Sequence, residues 1–350
     1  MKIGILTFQF AHNYGAMLQC YALKSTLEKM NLDVDVINYR PKEMTDFYSL
    51  NPIVIIKRHD LKALLGLFSR KNQAFKFYDF QVKELNIGRK IDHINDNTIG
   101  NYEVVVVGSD QVWNSNIVPD IGEYLLSGCT KCKKYSYAAS LGKKEISESM
   151  LLSFQENLFQ YSGISIREKN NAEYLSEMLC VDILNTVDPV FLLTQEEWRS
   201  FYLSSNPPKL NHNKYLLYID LFDSKELMKK AKDIAHRYNL TIITVDPMCR
   251  NNFNEVINLH NVGPFEYLQL IDHACFIVTN SFHAVSFSYI FEKKMAYYLK
   301  NELSNRITEL LKNINVKMEE IIDFKQSDRN YYEELIKKSK KYLQTINKKS

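Results

Sequence analysis

Three residues with catalytic potential stand directly after short β-type runs of the sequence. Asp110 follows Val104–Val107 in the segment GSDQVWN, Arg167 follows an apolar run in GISIRE, and His283 follows one in FIVTNSFHA. A carboxylate can take a proton from a hydroxyl, and a histidine can supply a proton or positive charge at a developing phosphate. A guanidinium can bind a carboxylate or phosphate through two parallel hydrogen bonds. Each residue is therefore a candidate for chemistry on a substrate.

The segment GSDQVWN, residues 108–114, offers both a base and an aromatic ring. Asp110 is a candidate to accept a proton from a sugar hydroxyl, and Trp113 has the flat apolar face that stacks on a sugar ring. Polar side chains at the end of a buried strand are costly unless they form hydrogen bonds. The structural alternative is an aspartate that caps the next helix and a tryptophan that fills the core. Residue types alone leave both interpretations open.

The segment TNSFHA, residues 279–284, predicts the start of a helix. Asn280 and Ser281 are residue types favoured at the N-cap, which places His283 in the first turns. Unpaired backbone N–H groups at a helix N-terminus favour anions. The alternative is a histidine whose hydrogen bonds are satisfied inside the domain. The order strand, serine, helix favours the functional interpretation.

Two arginines are candidates for binding an anionic substrate. Arg167 precedes a predicted helix in SGISIREKNNAEYL, and Arg306 lies in LSNRITELL after the last strand of the second half. The neighbouring Glu168 provides the alternative for Arg167, which is a plain surface salt bridge. A similar choice applies to Arg306.

The first loop, TFQFAHNYG, follows the run Ile3–Leu6 and leads into a helix predicted over about residues 14–30. It lacks the glycine-rich patterns with which nucleotide-binding proteins hold phosphates. Asn13 is the predicted N-cap of the helix, and Gly15 allows the backbone to pass close to another group. This loop therefore offers side chains where nucleotide-binding loops offer bare backbone.

The chain alternates β-type runs with helical segments, which predicts an α/β fold. The continuous run VVVV predicts a strand that is covered on both faces of a parallel sheet. The linker-like stretch SSNPPKLNHN, residues 204–213, divides the strands into two series. The predicted strands are Ile3–Leu6, Val34–Tyr39, Val104–Val107, Lys134–Ala138, Ile164–Ile166, Val187–Leu192, Tyr215–Asp220, Leu240–Val245, Phe276–Thr279 and Met295–Leu299.

This pattern predicts two Rossmann-like domains that face each other across a cleft. The predicted divisions are an N-terminal domain at 1–200 with a helical insertion at about 41–86, a C-terminal domain at 201–325, and a lysine-rich helix at 326–350. Ligands in such sheets sit beyond the carboxyl ends of the strands. The loops after Leu6, Val107 and Thr279 are therefore predicted to line the cleft.

The composition is that of an ordinary soluble protein, with 45% apolar and 24% charged residues among 350. The net charge of +3 is too small to imply nucleic-acid binding. The N-terminus shows no signal-peptide pattern and no apolar run is long enough to cross a bilayer, so we expect a cytoplasmic protein. Its six cysteines fit that compartment as reduced thiols. Cys129 and Cys132 have metal-ligand spacing, but no second C-x-x-C or paired histidines complete a zinc site, which favours a plain surface pair over a metal or redox role.

Several segments, in order along the chain, resemble the polysaccharide pyruvyl transferase family. They are YGA, LQ and YAL within 14–23, NYRP at 38–41, GSDQVWN at 108–114, YAASLG at 137–142, SIRE at 165–168, VDPVFLL at 187–193 and TNSFHA at 279–284. Each segment alone is weak evidence, whereas the ordered set is specific. The resemblance implies a fold similar to that of GT-B glycosyltransferases. It also implies transfer of the pyruvyl group of phosphoenolpyruvate to a sugar, as a ketal that bridges two hydroxyls.

The resemblance also implies roles for the candidate residues. His283 is assigned to the acid and phosphate side, with the N-terminus of its helix as an anion site, and Asp110 is the candidate base. The donor-binding candidates are Arg167, Ser281, Asn280 and Arg306. The acceptor-binding candidates are Asn13, Tyr14, Gly15, Gln111, Trp113 and Asn114. The implied partners are phosphoenolpyruvate as co-substrate and a saccharide of a surface polysaccharide or its lipid-linked precursor, with no cofactor and no metal.

Two other functions remain open at this stage. A glycosyltransferase of the same fold would use a sugar nucleotide and needs a carboxylate to hold the ribose, for which Glu292 is available. A non-catalytic factor in polysaccharide assembly would keep the fold, but loss of Arg167 or His283 would be expected and neither is lost.

The C-terminal segment KKSKKYLQTINKKS is rich in lysine, with Leu343 and Ile346 at a spacing that can share one helical face. One interpretation is a solvated helix end, where cations complement the helix dipole. The other is loose, reversible contact with an anionic membrane surface, shared with the basic and aromatic stretch Lys57–Lys76. The first interpretation is slightly favoured, and the second would place the protein peripherally at the inner face of the membrane.

Overall fold

The structure is a computed structural model of the chain. It describes residues 1–57, 67–142, 145–205, 214–245, 255–298, 305–314, 316, 321–324 and 330–347. These residues form two compact units. Unit 1 comprises Met1–Tyr48, Gln81–Leu193 and Asn330–Ser350, and unit 2 comprises Ser49–Phe80 and Thr194–Arg329.

Unit 1 is built on a six-stranded, wholly parallel sheet in the order β2-β1-β3-β4-β5-β6. Its strands are β1 (Lys2–Leu6), β2 (Asp33–Val36), β3 (Val104–Val107), β4 (Lys133–Ser136), β5 (Tyr161–Ile166) and β6 (Ile183–Asn185). The first eight α-helices of the chain are α1 (Tyr14–Glu28), α2 (Lys42–Thr45), α3 (Pro52–Lys57), α4 (Leu67–Lys83), α5 (Asp96–Ile99), α6 (Ile121–Tyr124), α7 (Glu148–Leu158) and α8 (Lys169–Leu179). All belong to unit 1 except α3, which lies in unit 2, and α4, which is shared between the units. All four valines of β3 are buried, as expected of β-branched residues in a strand that is covered on both faces.

Unit 2 has a second six-stranded sheet in the order β12-β11-β10-β7-β8-β9, parallel except for β12. Its strands are β7 (Tyr215–Ile219), β8 (Thr241–Thr244), β9 (Val256–Asn258), β10 (Phe276–Thr279), β11 (Lys294–Tyr297) and β12 (Ile322–Asp323). Its further helices are α9 (Gln195–Ser204), α10 (Lys225–Tyr238), α11 (Pro264–His273), α12 (Phe282–Ile290) and α13 (Asn305–Asn313), and α14 (Asn330–Ile346) belongs to unit 1. The predicted α/β class with two Rossmann-like sheets is confirmed.

The units do not follow the predicted domain boundaries along the chain. The insertion predicted at about 41–86 for the first domain is divided, because residues 49–80 belong to unit 2. Phe80 of α4 packs against Phe201 and Phe265 at ring-centroid distances of 6.0 and 5.3 Å, and Lys76 forms an ion pair with Glu266. Aromatic burial of this kind stabilises the association of distant segments. The helix α4 therefore carries the chain from unit 2 back into unit 1.

The C-terminal helix α14 packs into unit 1. Its Tyr342 hydroxyl donates a hydrogen bond to the carbonyl of Ser136 at 2.8 Å, and Ser339 Oγ accepts one from the backbone N–H of Val187 at 3.0 Å. Leu343 and Ile346 are buried. The apolar face that the membrane-contact interpretation needs is therefore occupied by the protein's own core. None of the described helices is long and apolar enough to span a membrane.

One predicted strand is absent from the described residues. Residues 187–192 were expected to continue the first sheet, but Pro189–Leu192 forms a short 3₁₀ helix. Asp188 caps it by accepting a hydrogen bond from the N–H of Val190 at 3.1 Å, and Pro189 at the first position fixes a helical φ. The edge strand of this sheet is instead β6, which was not predicted. Most of the linker predicted at 204–213 lies outside the described residues.

Candidate functional site

The carboxyl edge of the unit 1 sheet is organised around the buried side chain of Asp188. Its Oδ2 accepts hydrogen bonds from Arg167 Nη1 at 2.6 Å and from Ser109 Oγ at 3.1 Å. These three residues follow β6, β5 and β3, respectively. Because parallel strands end at the same edge, side chains distant in the sequence meet there. Asp188 thus joins three of the family-like segments, GSDQVWN, SIRE and VDPVFLL.

Arg167 is held inside this edge rather than presented at its surface. Its side chain is 6% exposed and lies 3.9 Å from the carboxylate of Glu168 in addition to its bond to Asp188. Burial by itself lowers the pKa of Arg167, but the charges of Asp188, Glu168 and Asp110 outweigh that effect and raise the pKa above its ordinary value. This buried bond to Asp188 excludes a plain surface salt bridge, and it joins the loops on either side of Arg167. The assignment of Arg167 to a donor carboxylate or phosphate stays a prediction.

Glu168 connects the same edge to the segment YAASLG. Its carboxylate accepts a hydrogen bond from Ser140 Oγ and one from the backbone N–H of Leu141 at 3.4 Å. The backbone N–H of Ser140 in turn donates to the carbonyl of Asp110 at 3.0 Å. The backbone near Asp110 is therefore fixed by contacts with the segments that follow β4 and β5.

Asp110, the candidate base, lies at this edge in a conformation that is unusual for a residue with a side chain. Its φ is 82°, in the left-handed region, where aspartate is better tolerated than most non-glycine residues. Its carboxylate is partly exposed and accepts a hydrogen bond from the N–H of Gln111 at 2.9 Å. It does not cap a helix, because the residues after it form turns. Strained backbone of this kind is often found at functional sites.

Trp113 belongs to the core of unit 1, which corrects its assignment as a sugar-stacking ring. It is 0% exposed, and its indole N–H donates to the carbonyl of Tyr124 at 3.1 Å. The rings of Phe154 and Tyr161 lie 5.5 and 6.4 Å from it, centroid to centroid. A sugar has no access to either face of this indole.

Gln111 and Asn114 hold the same loop together. Asn114 Nδ2 donates to Gln111 Oε1 at 2.8 Å, and Asn114 Oδ1 accepts from the N–H of Asn116 at 3.0 Å. Gly142, with φ of 69°, lies so close that a Cβ added there would be 2.0 Å from Gln111 Oε1. Asn114 is buried and its amide is used within the loop, whereas Gln111 is partly exposed. Of these two, Gln111 is therefore the residue that remains a candidate for contact with an acceptor.

The first loop begins α1 as the sequence predicts. Asn13 Oδ1 accepts a hydrogen bond from the N–H of Ala16 at 3.1 Å, so the predicted N-cap is confirmed. Asn13 is exposed, Tyr14 is partly exposed and Gly15 is buried. Behind them, Thr7 Oγ1 donates to the carbonyl of Ser109 at 2.7 Å, which ties this loop to the loop after β3. The first loop thus belongs to the same carboxyl edge as Asp110.

The carboxyl edge of the unit 2 sheet carries the second group of candidates. The helix α12 begins directly after β10, with Ser281 as its N-cap, whose Oγ accepts a hydrogen bond from the N–H of Ala284 at 3.5 Å. His283 is the second residue of α12 and is 7% exposed. The predicted helix start, with the histidine in its first turn, is confirmed.

Asn280 fixes this helix start to the neighbouring strand. Its Nδ2 donates to Asp220 Oδ1 at 2.7 Å, and its Oδ1 accepts from the N–H of Leu221 at 2.8 Å. Asp220, the first residue after β7, also accepts hydrogen bonds from the Tyr218 hydroxyl and the N–H of Ser224, both at 2.7 Å. Asp220 was not among the candidates predicted from the sequence, although its position at the end of the apolar run YLLYI was a usable signal. Both ends of the Asn280 amide are engaged, so its main effect is to orient Ser281 and His283.

The ring of Phe282 contacts both His283 and Arg306, the two basic candidates of this unit. Its centroid is 5.2 Å from the imidazole of His283 and 5.7 Å from the guanidinium carbon of Arg306. An arginine at this distance from an aromatic ring makes a favourable cation–π contact. The structure therefore brings Arg306 to Phe282, the first residue of α12.

Glu292, the candidate ribose ligand of the alternative function, lies beyond the other end of α12. The nine residues of this helix separate it from the Ser281 cap. At about 1.5 Å per residue the helix itself is about 13 Å long.

In the described ranges no group of three or more histidine, cysteine, aspartate or glutamate side chains is arranged to hold a metal ion.

Comparison with known proteins gives a family and a fold. The family model described as "Polysaccharide pyruvyl transferase" matches residues 13–299. No curated protein matches the chain. The UDP-GlcNAc 2-epimerase of Methanocaldococcus jannaschii, solved with UDP-GlcNAc and UDP, is similar with 14% identity, 99% coverage of both chains and a TM-score of 0.53. A putative UDP-N-acetylglucosamine 2-epimerase from Listeria monocytogenes has 10% identity, coverage of 98% of this chain and 88% of its own, and a TM-score of 0.52.

A third structure, UDP-N-acetylglucosamine 2-epimerase from Rickettsia bellii, gives 12% identity, coverage of 99% of this chain and 95% of its own, and a TM-score of 0.50. At such identities the similarity concerns the fold alone. That fold is the GT-B type, with two Rossmann-like units, as the sequence predicts.

Proposed function

The chain belongs to the polysaccharide pyruvyl transferase family, whose model covers residues 13–299, and from this premise we propose its reaction. It transfers the pyruvyl group of phosphoenolpyruvate to a sugar of a surface polysaccharide or of a lipid-linked precursor. The product is a ketal in which C2 of pyruvate bridges two hydroxyls of one sugar. Inorganic phosphate is the second product.

The observation that supports this proposal most strongly is the N-terminal end of α12. A buried histidine lies in the first turn of a helix that is capped by Ser281 and fixed to the next strand by Asn280 and Asp220. The first N–H groups of a helix and its dipole favour negative charge, and Arg306 adds a cation at the same end. This arrangement suits the phosphate and carboxylate of a small dianionic or trianionic donor such as phosphoenolpyruvate.

Ketal formation from phosphoenolpyruvate requires a proton on the methylene carbon, attack on C2 by a sugar hydroxyl, loss of that hydroxyl's proton and departure of phosphate. In the proposal, His283 acts on the donor as the acid and stabilises the charge of the leaving phosphate. After phosphate has left, a second hydroxyl of the same sugar attacks C2 and gives its proton to the released phosphate or to solvent, which closes the ketal. Acid–base contributions of this kind typically supply about 10²- to 10⁴-fold in rate each.

We assign the acceptor to the carboxyl edge of unit 1. Asp110 is the proposed base for the attacking hydroxyl, because its carboxylate is partly exposed on a backbone that the neighbouring segments fix. Asn13, Tyr14 and Gln111 are the proposed contacts to the saccharide. Arg167 supports this edge through its bond to Asp188 and is the proposed contact for the donor carboxylate or phosphate. The roles of Asp110 and His283 therefore belong to separate units of the chain.

The proposal is tested by incubating the full-length protein with phosphoenolpyruvate and candidate saccharides, free or lipid-linked, while released phosphate is measured. Mass spectrometry then detects saccharides that have gained a pyruvyl group. We expect His283→Ala to fold normally and to lose about 10²-fold or more of the rate. His236→Ala, which removes an exposed histidine of α10 in the same unit, is the matched control and should retain full activity. Equal rates for the two variants would remove His283 from the mechanism.

A further inference from the structure

Two cysteines outside the proposed active site form a pair of interacting thiols. Cys129 and Cys132 lie in the segment between α6 and β4, which is the amino end of that strand and therefore the opposite end from the carboxyl edge. Both are free thiols, and their side chains are hydrogen-bonded to each other. Cys129 is 0% exposed, whereas Cys132 is partly exposed. One residue of the pair is thus partly accessible and the other is buried.

Asp96 holds the two residues between the cysteines in place. Its Oδ1 accepts hydrogen bonds from the backbone N–H groups of Thr130 at 2.9 Å and Lys131 at 3.1 Å, and its Oδ2 accepts one from Thr130 Oγ1 at 2.6 Å. These bonds, led by the one from Thr130 Oγ1, lower the pKa of Asp96. The carboxylate therefore fixes the turn on which the two sulfur atoms meet.

The charges around the pair favour a thiolate on Cys132. The hydrogen bond from Cys129 lowers the pKa of Cys132 to about 7, against the opposing effect of burial, and the ammonium of Lys134 acts in the same direction as the hydrogen bond. The same hydrogen bond, reinforced by burial, raises the pKa of Cys129. Lys134 is itself fixed, because its Nζ donates to the carbonyl of Leu126 at 2.9 Å and to Gln160 Oε1 at 2.7 Å. Asp96 is the remaining charged neighbour and disfavours the thiolate, whereas burial and the nearby cysteines raise the pKa of the Tyr161 phenol and keep it neutral.

We propose that Cys129 and Cys132 form a redox-active dithiol that exchanges with small disulfides. In the first step the Cys132 thiolate attacks one sulfur of a low-molecular-weight disulfide, forms a mixed disulfide and releases one thiolate of the small molecule. In the second step Cys129 loses its proton and attacks Cys132 Sγ, which forms the Cys129–Cys132 disulfide and releases the second small thiol. The two cysteines are oxidised by two electrons, and one small disulfide is reduced to two thiols.

The expected reactivity of Cys132 can be compared with that of the two exposed cysteines, Cys180 and Cys275. A pKa of about 7 instead of an ordinary 8.5 raises the thiolate fraction at pH 7 about 16-fold. Nucleophilicity falls with pKa, by about fivefold over this interval. The net expectation is about threefold faster reaction of Cys132 than of an ordinary exposed thiol, although partial burial of Cys132 reduces that advantage. The distinguishing property is therefore the intramolecular second step, which an isolated cysteine cannot perform.

The experiment treats the reduced full-length protein with oxidised glutathione, quenches it with an alkylating agent and maps the peptides by mass spectrometry. We expect a Cys129–Cys132 disulfide in the wild type, whereas Cys180 stops at a glutathione adduct. Cys129→Ala should accumulate a stable adduct on Cys132, and Cys132→Ala should leave Cys129 unmodified because it is buried. Cys180→Ser is the matched control and should form the internal disulfide as the wild type does.

Two results would overturn the proposal. One is the absence of the Cys129–Cys132 disulfide from wild-type protein whose Cys180 is fully glutathionylated. The other is an equally stable adduct on Cys132 in the wild type and in Cys129→Ala, since it would show that Cys129 does not resolve the mixed disulfide. Native mass spectrometry and circular dichroism of each variant establish that it is folded before its thiols are compared.

Discussion

The buried pair of Arg167 and Asp188 provides a quantitative test of how the carboxyl edge of unit 1 is held. Asp188→Asn preserves the shape of the side chain but leaves the guanidinium without the partner that it contacts at 2.6 Å. Breaking a buried pair by neutralising one member typically costs about 3–5 kcal/mol. Glu168, at 3.9 Å from the same guanidinium, offers partial compensation, so we expect the lower end of that range. A loss of about 3 kcal/mol corresponds to a decrease of roughly 6–12 °C in the thermal transition of a unit of this size.

The assay uses the distribution of tryptophan in the chain. Trp113 lies in unit 1 and Trp198 in unit 2, and the sequence has 2 tryptophans. In a Trp198→Phe background, tryptophan fluorescence therefore reports the unfolding of unit 1 alone. This separation is useful because the two units need not unfold together.

The matched control is Glu334→Gln, which breaks an exposed pair with Lys337 and should shift the transition by less than about 2 °C. Combining Asp188→Asn with Arg167→Met should recover part of the loss, because the unpaired charge is then removed. If Asp188→Asn shifts the transition no more than Glu334→Gln does, Arg167 is not the buried anchor described here.

Three further outcomes follow from the structure. Ser281→Ala removes the cap of α12 and should cost about 1 kcal/mol in the thermal unfolding of unit 2, which Ser281→Thr should largely restore. Burial raises the pKa of Asp272, but Arg199 and Tyr202 outweigh it and lower the pKa below its ordinary 3.8. The stabilisation that the ionised Asp272 carboxylate provides is therefore complete above the ordinary pKa and is lost as the pH falls through the lower pKa of the folded state. On acidification, Asp272→Asn should therefore lose less of its free energy of unfolding than the wild type does. In a chain that ends at Glu334, unit 1 should unfold at a lower temperature, because Leu343 and Ile346 are lost from its core. This shortened chain should co-sediment with anionic vesicles as weakly as the full chain does. A selective loss of vesicle binding would restore the membrane interpretation.

The sequence predicted the fold well wherever local pattern and tertiary context agree. The run VVVV and the caps at Asn13 and Ser281 are local signals, and each appears in the structure where it was expected. The strand expected at 187–192 failed because Asp188 and Pro189 impose a turn that outweighs β propensity. The course of α4 between the units depends on contacts with Phe201 and Phe265, which periodicity cannot show.

The candidate site was predictable in position but less so in role. His283 and Asp110 were identified because each follows a strand at the carboxyl edge. The role of Arg167 depends on Asp188, which is 21 residues away in the sequence, and that of Trp113 depends on whether its faces are covered. Asp220 was missed because a single aspartate after a strand has many possible roles. Pairing and burial are properties of the fold, so residue type and spacing could not decide these cases.

The central claim is that phosphoenolpyruvate is the donor and binds at the N-terminal end of α12, and it can be tested without knowing the acceptor. Isothermal titration calorimetry measures the binding of phosphoenolpyruvate, UDP-sugars and GDP-sugars to the wild type, to His283→Ala and to the control His236→Ala. We predict that phosphoenolpyruvate binds the wild type and His236→Ala equally, binds His283→Ala at least about tenfold more weakly, and is preferred over both classes of sugar nucleotide. Tight binding of a sugar nucleotide, with none detected for phosphoenolpyruvate, would contradict the claim and favour a glycosyltransferase.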